Sequence, residues 1–173
     1  MKILVFGNLG SGKSTVSLFL KDRLPGFERL GIDNYRRLYG DGTMEAERLA
    51  KRLFIEAVQP QSNQIIEATG CGETAALLAQ RLIESDEKNV IILIVTPLDI
   101  CLKRLAERIW DVPYPAPSEM AISLAQEIEE SIKAGEPFEN WKHHSNTETI
   151  TRQCLNQKHL QSIWSDLQKS LRR

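Results

Sequence analysis

The apolar positions fall into short blocks separated by amphipathic stretches. Residues 2–6 (KILVF) form a compact apolar run stopped by Gly7, the pattern of a buried strand. Residues 12–24 then place Val16, Phe19, Leu20 and Leu24 at helical spacing until Pro25-Gly26 ends the helix. A short strand is expected at 27–32, and a helix at 43–58 with Thr43 at its cap and Leu49, Leu53 and Ile55 among its apolar positions. A third strand follows at 63–68 and a helix from about Glu73 to Ser85. Residues 89–96 (NVIILIVT) read as a central strand, nearly all apolar or β-branched. The spacing of Leu98, Cys101, Leu102, Leu105 and Ile109 predicts a helix over 98–110. Three prolines within 111–118 make that segment a loop. Helices are expected from about Pro117 to Ala134 and over 156–171, and Thr147, Thr149, Ile150 and Thr151 allow a fifth strand within 144–152.

Strands alternating with helices predict an α/β fold: a three-layer arrangement in which helices flank a parallel sheet of about five strands. The 173 residues suit one domain, and there is neither an internal repeat nor a low-complexity linker. At 42% apolar and 26% charged residues the chain is of ordinary globular composition, which excludes a disordered one. No apolar run is long enough for a membrane span or a signal peptide. Cys71, Cys101 and Cys154 are odd in number and widely spaced, so neither a zinc site nor a disulfide framework is expected, and the setting is read as reducing and cytoplasmic. Nothing points to an obligate protein partner. The net charge of −1 argues against a globally basic nucleic-acid binder. It conceals a basic segment, however: residues 1–40 hold seven basic and three acidic side chains.

The chemistry begins at Gly7-Asn8-Leu9-Gly10-Ser11-Gly12-Lys13-Ser14, which matches G-x-x-x-x-G-K-[ST] between a predicted strand and a predicted helix. Glycines allow backbone N–H groups to turn around a phosphate, and the helix N-terminus adds free donors and a positive dipole end. Lys13 can reach β- and γ-phosphates, the Ser14 hydroxyl can ligate Mg²⁺, and Thr15 stands beside the nucleotide. Asp33 lies after strand two on the same sheet edge, where ligands of open parallel sheets sit. It is a candidate general base, a holder of metal-bound water, or a cap for the next helix. Arg36, three residues on, is a candidate clamp for an anionic acceptor, whereas Arg37 reads as surface charge. Glu67 ends strand three; binding Mg²⁺ through water, bonding the acceptor, and a structural role are all open to it. Gly70 could admit the acceptor or simply turn the chain. Arg104 and Arg108, four apart on an exposed helix face, are candidate cations for the transferring phosphoryl group. His143 and His144 read as surface histidines.

With these residues in view, the chain resembles small P-loop kinases of the adenylate kinase and shikimate kinase type, in pattern from Met1 to about Ala134. The motif similarity is strongest to the polynucleotide 5′-kinase-like branch. Phage-type members of that branch carry Asp-Asp-Tyr-Arg after strand two, here Asp33-Asn34-Tyr35-Arg36. They also carry Lys-Arg-x-x-x-Arg on a flap helix, here Lys103-Arg104 and Arg108, and then Val-Pro, here Val112-Pro113. The resemblance implies Asp33 as base, Arg36 on an acceptor phosphate and a helical flap over about 98–118. It implies transfer of the γ-phosphoryl of ATP, with Mg²⁺, to a hydroxyl or phosphate of a small, anionic acceptor, a nucleotide or polynucleotide 5′-hydroxyl first among them. Metabolite acceptors such as a sugar acid or an antibiotic are the alternative. Tyr35 departs from the Asp-x-Asp of shikimate kinases. A GTPase switch is disfavoured, since Asn-Lys-x-Asp is absent.

Overall fold

The computed structural model describes residues 1–83, 87–113, 118–144, 146–154 and 156–172. Five strands, β1 (Lys2–Gly7), β2 (Glu28–Gly31), β3 (Gln64–Glu67), β4 (Asn89–Ile94) and β5 (Thr147–Arg152), form one sheet in the order β2-β3-β1-β4-β5. Every neighbouring pair is parallel. The strands with two neighbours and helices on both faces are β3, β1 and β4, and their apolar runs lack alternation for that reason. Ile3, Val5, Val16, Leu20, Ile92 and Ile163 form one apolar layer; Leu4, Phe6, Phe54, Leu78, Ile91 and Trp141 form the other.

Eight helices connect the strands among the described residues: α1 (Lys13–Arg23), α2 (Ile32–Tyr39), α3 (Met44–Ala57), α4 (Gly72–Leu82), α5 (Leu98–Ala106), α6 (Ser118–Lys133), α7 (Glu136–Glu139) and α8 (Gln157–Leu171). The fifth strand allowed by the β-branched residues is present. Thr43 caps α3, its hydroxyl accepting from Ala46 N at 3.2 Å.

One expectation is corrected. Helix α5 stops at Ala106 rather than at 110, so Ile109 leaves the apolar face and stands 91% exposed. Pro113 disfavours helix just upstream, and ion pairs from Arg108 and Asp111 tie this stretch to α2. In α3 the buried positions are Ala46, Glu47, Ala50 and Phe54, and the apolar Leu49, Leu53 and Ile55 are partly covered. The predicted helix end at 84–85 and loop positions 114–117 lie outside the described residues. No helix among the described residues is long and apolar enough to cross a membrane.

Candidate active site

The strands end at one edge, and a cavity of about 1080 Å³ opens there, lined from β1's outgoing loop, β2–α2, β3, α5 and the β5–α8 turn. The glycine-rich loop forms its floor. Gly10, at φ +74°, lies so close to α5 that a Cβ would stand 2.7 Å from the Cys101 carbonyl oxygen. Three donors occupy the loop's carbonyls. Lys13 Nζ bonds Asn8 O at 2.7 Å, Thr96 Oγ1 bonds Ser11 O at 2.8 Å, and Arg104 Nη1 bonds Gly10 O at 2.9 Å. The Asn8 side chain donates to Ala125 O at 2.9 Å and Glu129 Oε2 at 3.1 Å, which pins the loop to α6. The first turn of α1, with its free N–H groups, follows directly, and Ser14 and Thr15 are exposed to the cavity. Desolvation lowers the Lys13 amine from its usual pKa, opposed by the charges of Glu67 and Asp33.

Glu67 stands beside the loop. Its Oε1 accepts from the Ser14 hydroxyl, and its Oε2 accepts from Ser17 Oγ at 2.9 Å and Arg29 Nη2 at 2.7 Å. Arg29 also donates to Ser17 Oγ at 2.7 Å. Glu67 thus faces the Ser14 end of the loop. Its bonds to Ser17 and Arg29 fit the structural role, and its bond to Ser14 joins it to the hydroxyl that could ligate Mg²⁺. The Ser14 hydroxyl and Glu67 carboxylate are hard oxygen donors, a set that suits Mg²⁺. No cluster of three or more His, Cys, Asp or Glu side chains poised for a metal occurs among the described residues.

Asp33 lies across the cavity in the first turn of α2 rather than on a loop, because the helix starts directly at Ile32. Its Oδ1 accepts from Arg36 Nη1 at 3.0 Å and its Oδ2 from Arg108 Nη2 at 3.3 Å. Arg36 is held from behind: Nε and Nη2 donate to the two oxygens of Glu47 at 2.9 and 2.7 Å. Burial acts to lower the guanidinium pKa, but the bonds and charges of Glu47 and Asp33 outweigh it and raise the value. Arg37 is an exposed surface charge, paired with Asp111 at 2.8 Å.

The two arginines expected to share one helix face part company. Arg104 is half-buried and bonds Gly10 O and, at 3.5 Å, Cys154 O, bracing the loop against the β5–α8 turn. Arg108 lies beyond the end of α5, reaches Asp33, and stacks its guanidinium 4.7 Å from the Trp110 ring centroid. Gly70 lies outside the cavity lining; at φ +83°, a Cβ there would meet the Phe6 ring at 2.7 Å, so core packing accounts for the glycine. His144 packs on Trp141 with ring centroids 4.7 Å apart, whereas His143 is exposed. All three cysteines are free and buried.

Sequence reasoning missed Arg29 and Glu47. Glu47 carried a signal: it lies on the same helical stripe as Ala50 and Phe54, and an acid on a buried stripe needs a cation. Arg29 carried none beyond being a charge inside a short strand.

No protein-family model matches the sequence, and no curated protein sequence matches it. Solved structures do. Shikimate kinase from Acinetobacter baumannii in complex with shikimate superposes over 98% of this chain and 92% of its own, with TM-score 0.65 and 16% identity. Shikimate kinase from Bacteroides thetaiotaomicron covers 100% and 99%, with TM-score 0.63 and 14% identity. Deoxyadenosine kinase from M. mycoides with bound dATP covers 97% and 99%, with TM-score 0.57 and 15% identity. At these identities the likeness is one of fold, and the fold is that of small P-loop kinases.

Proposed function

We propose that the chain is a Mg²⁺-dependent phosphotransferase that moves the γ-phosphoryl group of ATP to a hydroxyl group of a small acceptor. One observation carries the reading. Lys13, Ser14 and Glu67 stand at the glycine-rich loop, and Asp33 lines the same cavity from the first turn of α2. A donor phosphate on the loop and a hydroxyl at Asp33 would therefore meet within one enclosure, where positioning and electrostatics supply the catalysis. Gly7 to Ser14, with Thr15, cradle the triphosphate; Lys13 counters its charge. Ser14 and Glu67 hold the Mg²⁺, which when bound neutralises charge on the phosphates. Asp33 accepts the hydroxyl proton. Arg108, held by Asp33 at 3.3 Å and Asp111 at 3.9 Å without a two-bond clamp, is the most loosely tied arginine of the site and turns toward the transferring group. Arg104 holds the loop's shape. The segment from α5 through Pro113 serves as the flap of a single-domain enzyme. The Asp33-Asn34-Tyr35-Arg36 motif favours a 5′-hydroxyl of nucleoside type as acceptor.

The test follows label from γ-³²P ATP with and without candidate hydroxyl acceptors. Labelled acceptor is expected, with Asp33→Asn cutting turnover about 100-fold or more while ATP affinity stays within a few-fold. Rapid ATP hydrolysis that no acceptor alters, with no labelled acceptor, refutes the reading.

A further inference from the structure

The ion pairs divide the cavity into two electrically different halves. On the loop side, Lys13 and Arg104 bond only backbone carbonyls, and neither has an ion pair among the described residues. That is the half suited to a triphosphate. On the α2 side, three arginines are matched by three carboxylates. Arg36 is held by Glu47 and Asp33, Arg37 by Asp111, and Arg108 by Asp33 and, at 3.9 Å, Asp111. The Arg36–Glu47 pair is the least dispensable, because the Glu47 carboxylate is only 1% exposed and would lose both hydrogen bonds if Arg36 turned to a ligand. The charged neighbours Arg29 and Glu67 pair with each other at 2.7 Å, and the remaining polar side chains that line this half are neutral: Asn34, Thr69 and Thr74, beside apolar Ile32, Ala68 and Leu124.

We infer that the compound phosphorylated here is uncharged, a neutral hydroxyl compound of sugar or nucleoside type. This departs from the anionic acceptor expected from the sequence, because Arg36, Arg37 and Arg108 are each paired with a carboxylate. It rests on the phosphotransferase reading. In the step, the acceptor oxygen bonds the γ-phosphorus as the bond from γ-phosphorus to its bridging oxygen breaks. ADP leaves with that electron pair, and Asp33 takes the hydroxyl proton. The neutral hydroxyl compound is held by hydrogen bonds to amide and hydroxyl groups, which leave no buried charge unpaired.

The experiment compares matched acceptors, nucleosides against their 3′-monophosphates and hexoses against the corresponding sugar acids, by label transfer from ATP. Neutral members are expected to exceed anionic partners about tenfold or more in kcat/KM. The reverse order overturns the inference while leaving the phosphotransferase standing. If no member is labelled, inorganic phosphate titrated into the protein saturated with a non-hydrolysable ATP analogue decides. No saturable binding is expected in the wild type. Asp111→Asn, at an exposed carboxylate, or Glu47→Gln should create such binding by releasing an arginine. Saturable phosphate binding to the wild type that Arg36→Gln removes overturns the inference. So does failure of both variants to bind phosphate.

Discussion

Glu47 offers a quantitative test of what holds the acceptor half together. Its carboxylate is 1% exposed and the Arg36 side chain 11%, joined by two hydrogen bonds. Removing one partner of such a buried pair costs about 3–5 kcal/mol, because the survivor stays buried and charged. The two removals should differ. Among the described residues, Arg36→Met leaves Glu47 with only the cation of Lys51, 4.0 Å away, so the loss is expected near 4 kcal/mol. Glu47→Gln leaves Arg36 its bond to Asp33 at 3.0 Å and keeps an amide oxygen as acceptor, so the loss should be about 2 kcal/mol. With a urea slope of about 2 kcal/mol/M, the unfolding midpoint falls by about 2 M for Arg36→Met and about 1 M for Glu47→Gln. Replacing both partners by apolar residues, Arg36→Met with Glu47→Leu, removes both charges at once. The double variant should be more stable than Arg36→Met alone, a coupling of about 2–3 kcal/mol. Additive losses, or a Glu47→Gln variant as stable as wild type, would refute the claim that this pair is desolvated and mutually dependent.

Lys13→Met should abolish turnover yet raise stability at neutral pH by about 1 kcal/mol, since it removes a desolvated ammonium. The native amine has a lowered pKa, so the unfolded chain binds more protons between that value and 10.5; wild-type stability therefore rises with pH through that window, and the variant's advantage shrinks there, as chemical denaturation at several pH values would show. Gly70→Ala puts a methyl 2.7 Å from the Phe6 ring at φ +83° and should cost about 2–4 kcal/mol, read by thermal unfolding; an unchanged melting temperature contradicts the packing account. Burial, and then the charge of Glu136, pushes the Cys71 thiol up to about 12, so in the native protein it should resist iodoacetamide at pH 8 and react only on unfolding, as mass spectrometry of labelled peptides would reveal.

The parts of this architecture legible in the sequence are those in which one local pattern decides the outcome. Apolar blocks marked strands β1 and β4, short mixed segments between turn residues marked β2 and β3, and the Gly7–Ser14 spacing between a strand and a helix marked the phosphate loop, because all of these depend on neighbours in the chain. Partnerships across the chain were hidden. Nothing local in Arg104 says that it braces Gly10, 94 residues away. Nothing local says that Arg36 answers to Glu47, or Arg37 to Asp111. The same limit governs charge. A count along residues 1–40 treats every arginine as available to a ligand, whereas a folded site offers only the charge left after its own carboxylates have paired. Lys13 and Arg104 keep theirs because their partners are carbonyl dipoles, which orient a cation without neutralising it. Arg29, Arg36 and Arg37 give theirs to Glu67, Glu47 and Asp111. The field that a ligand meets is therefore positive at the loop and balanced at α2, a distinction set by which oxygen each cation touches.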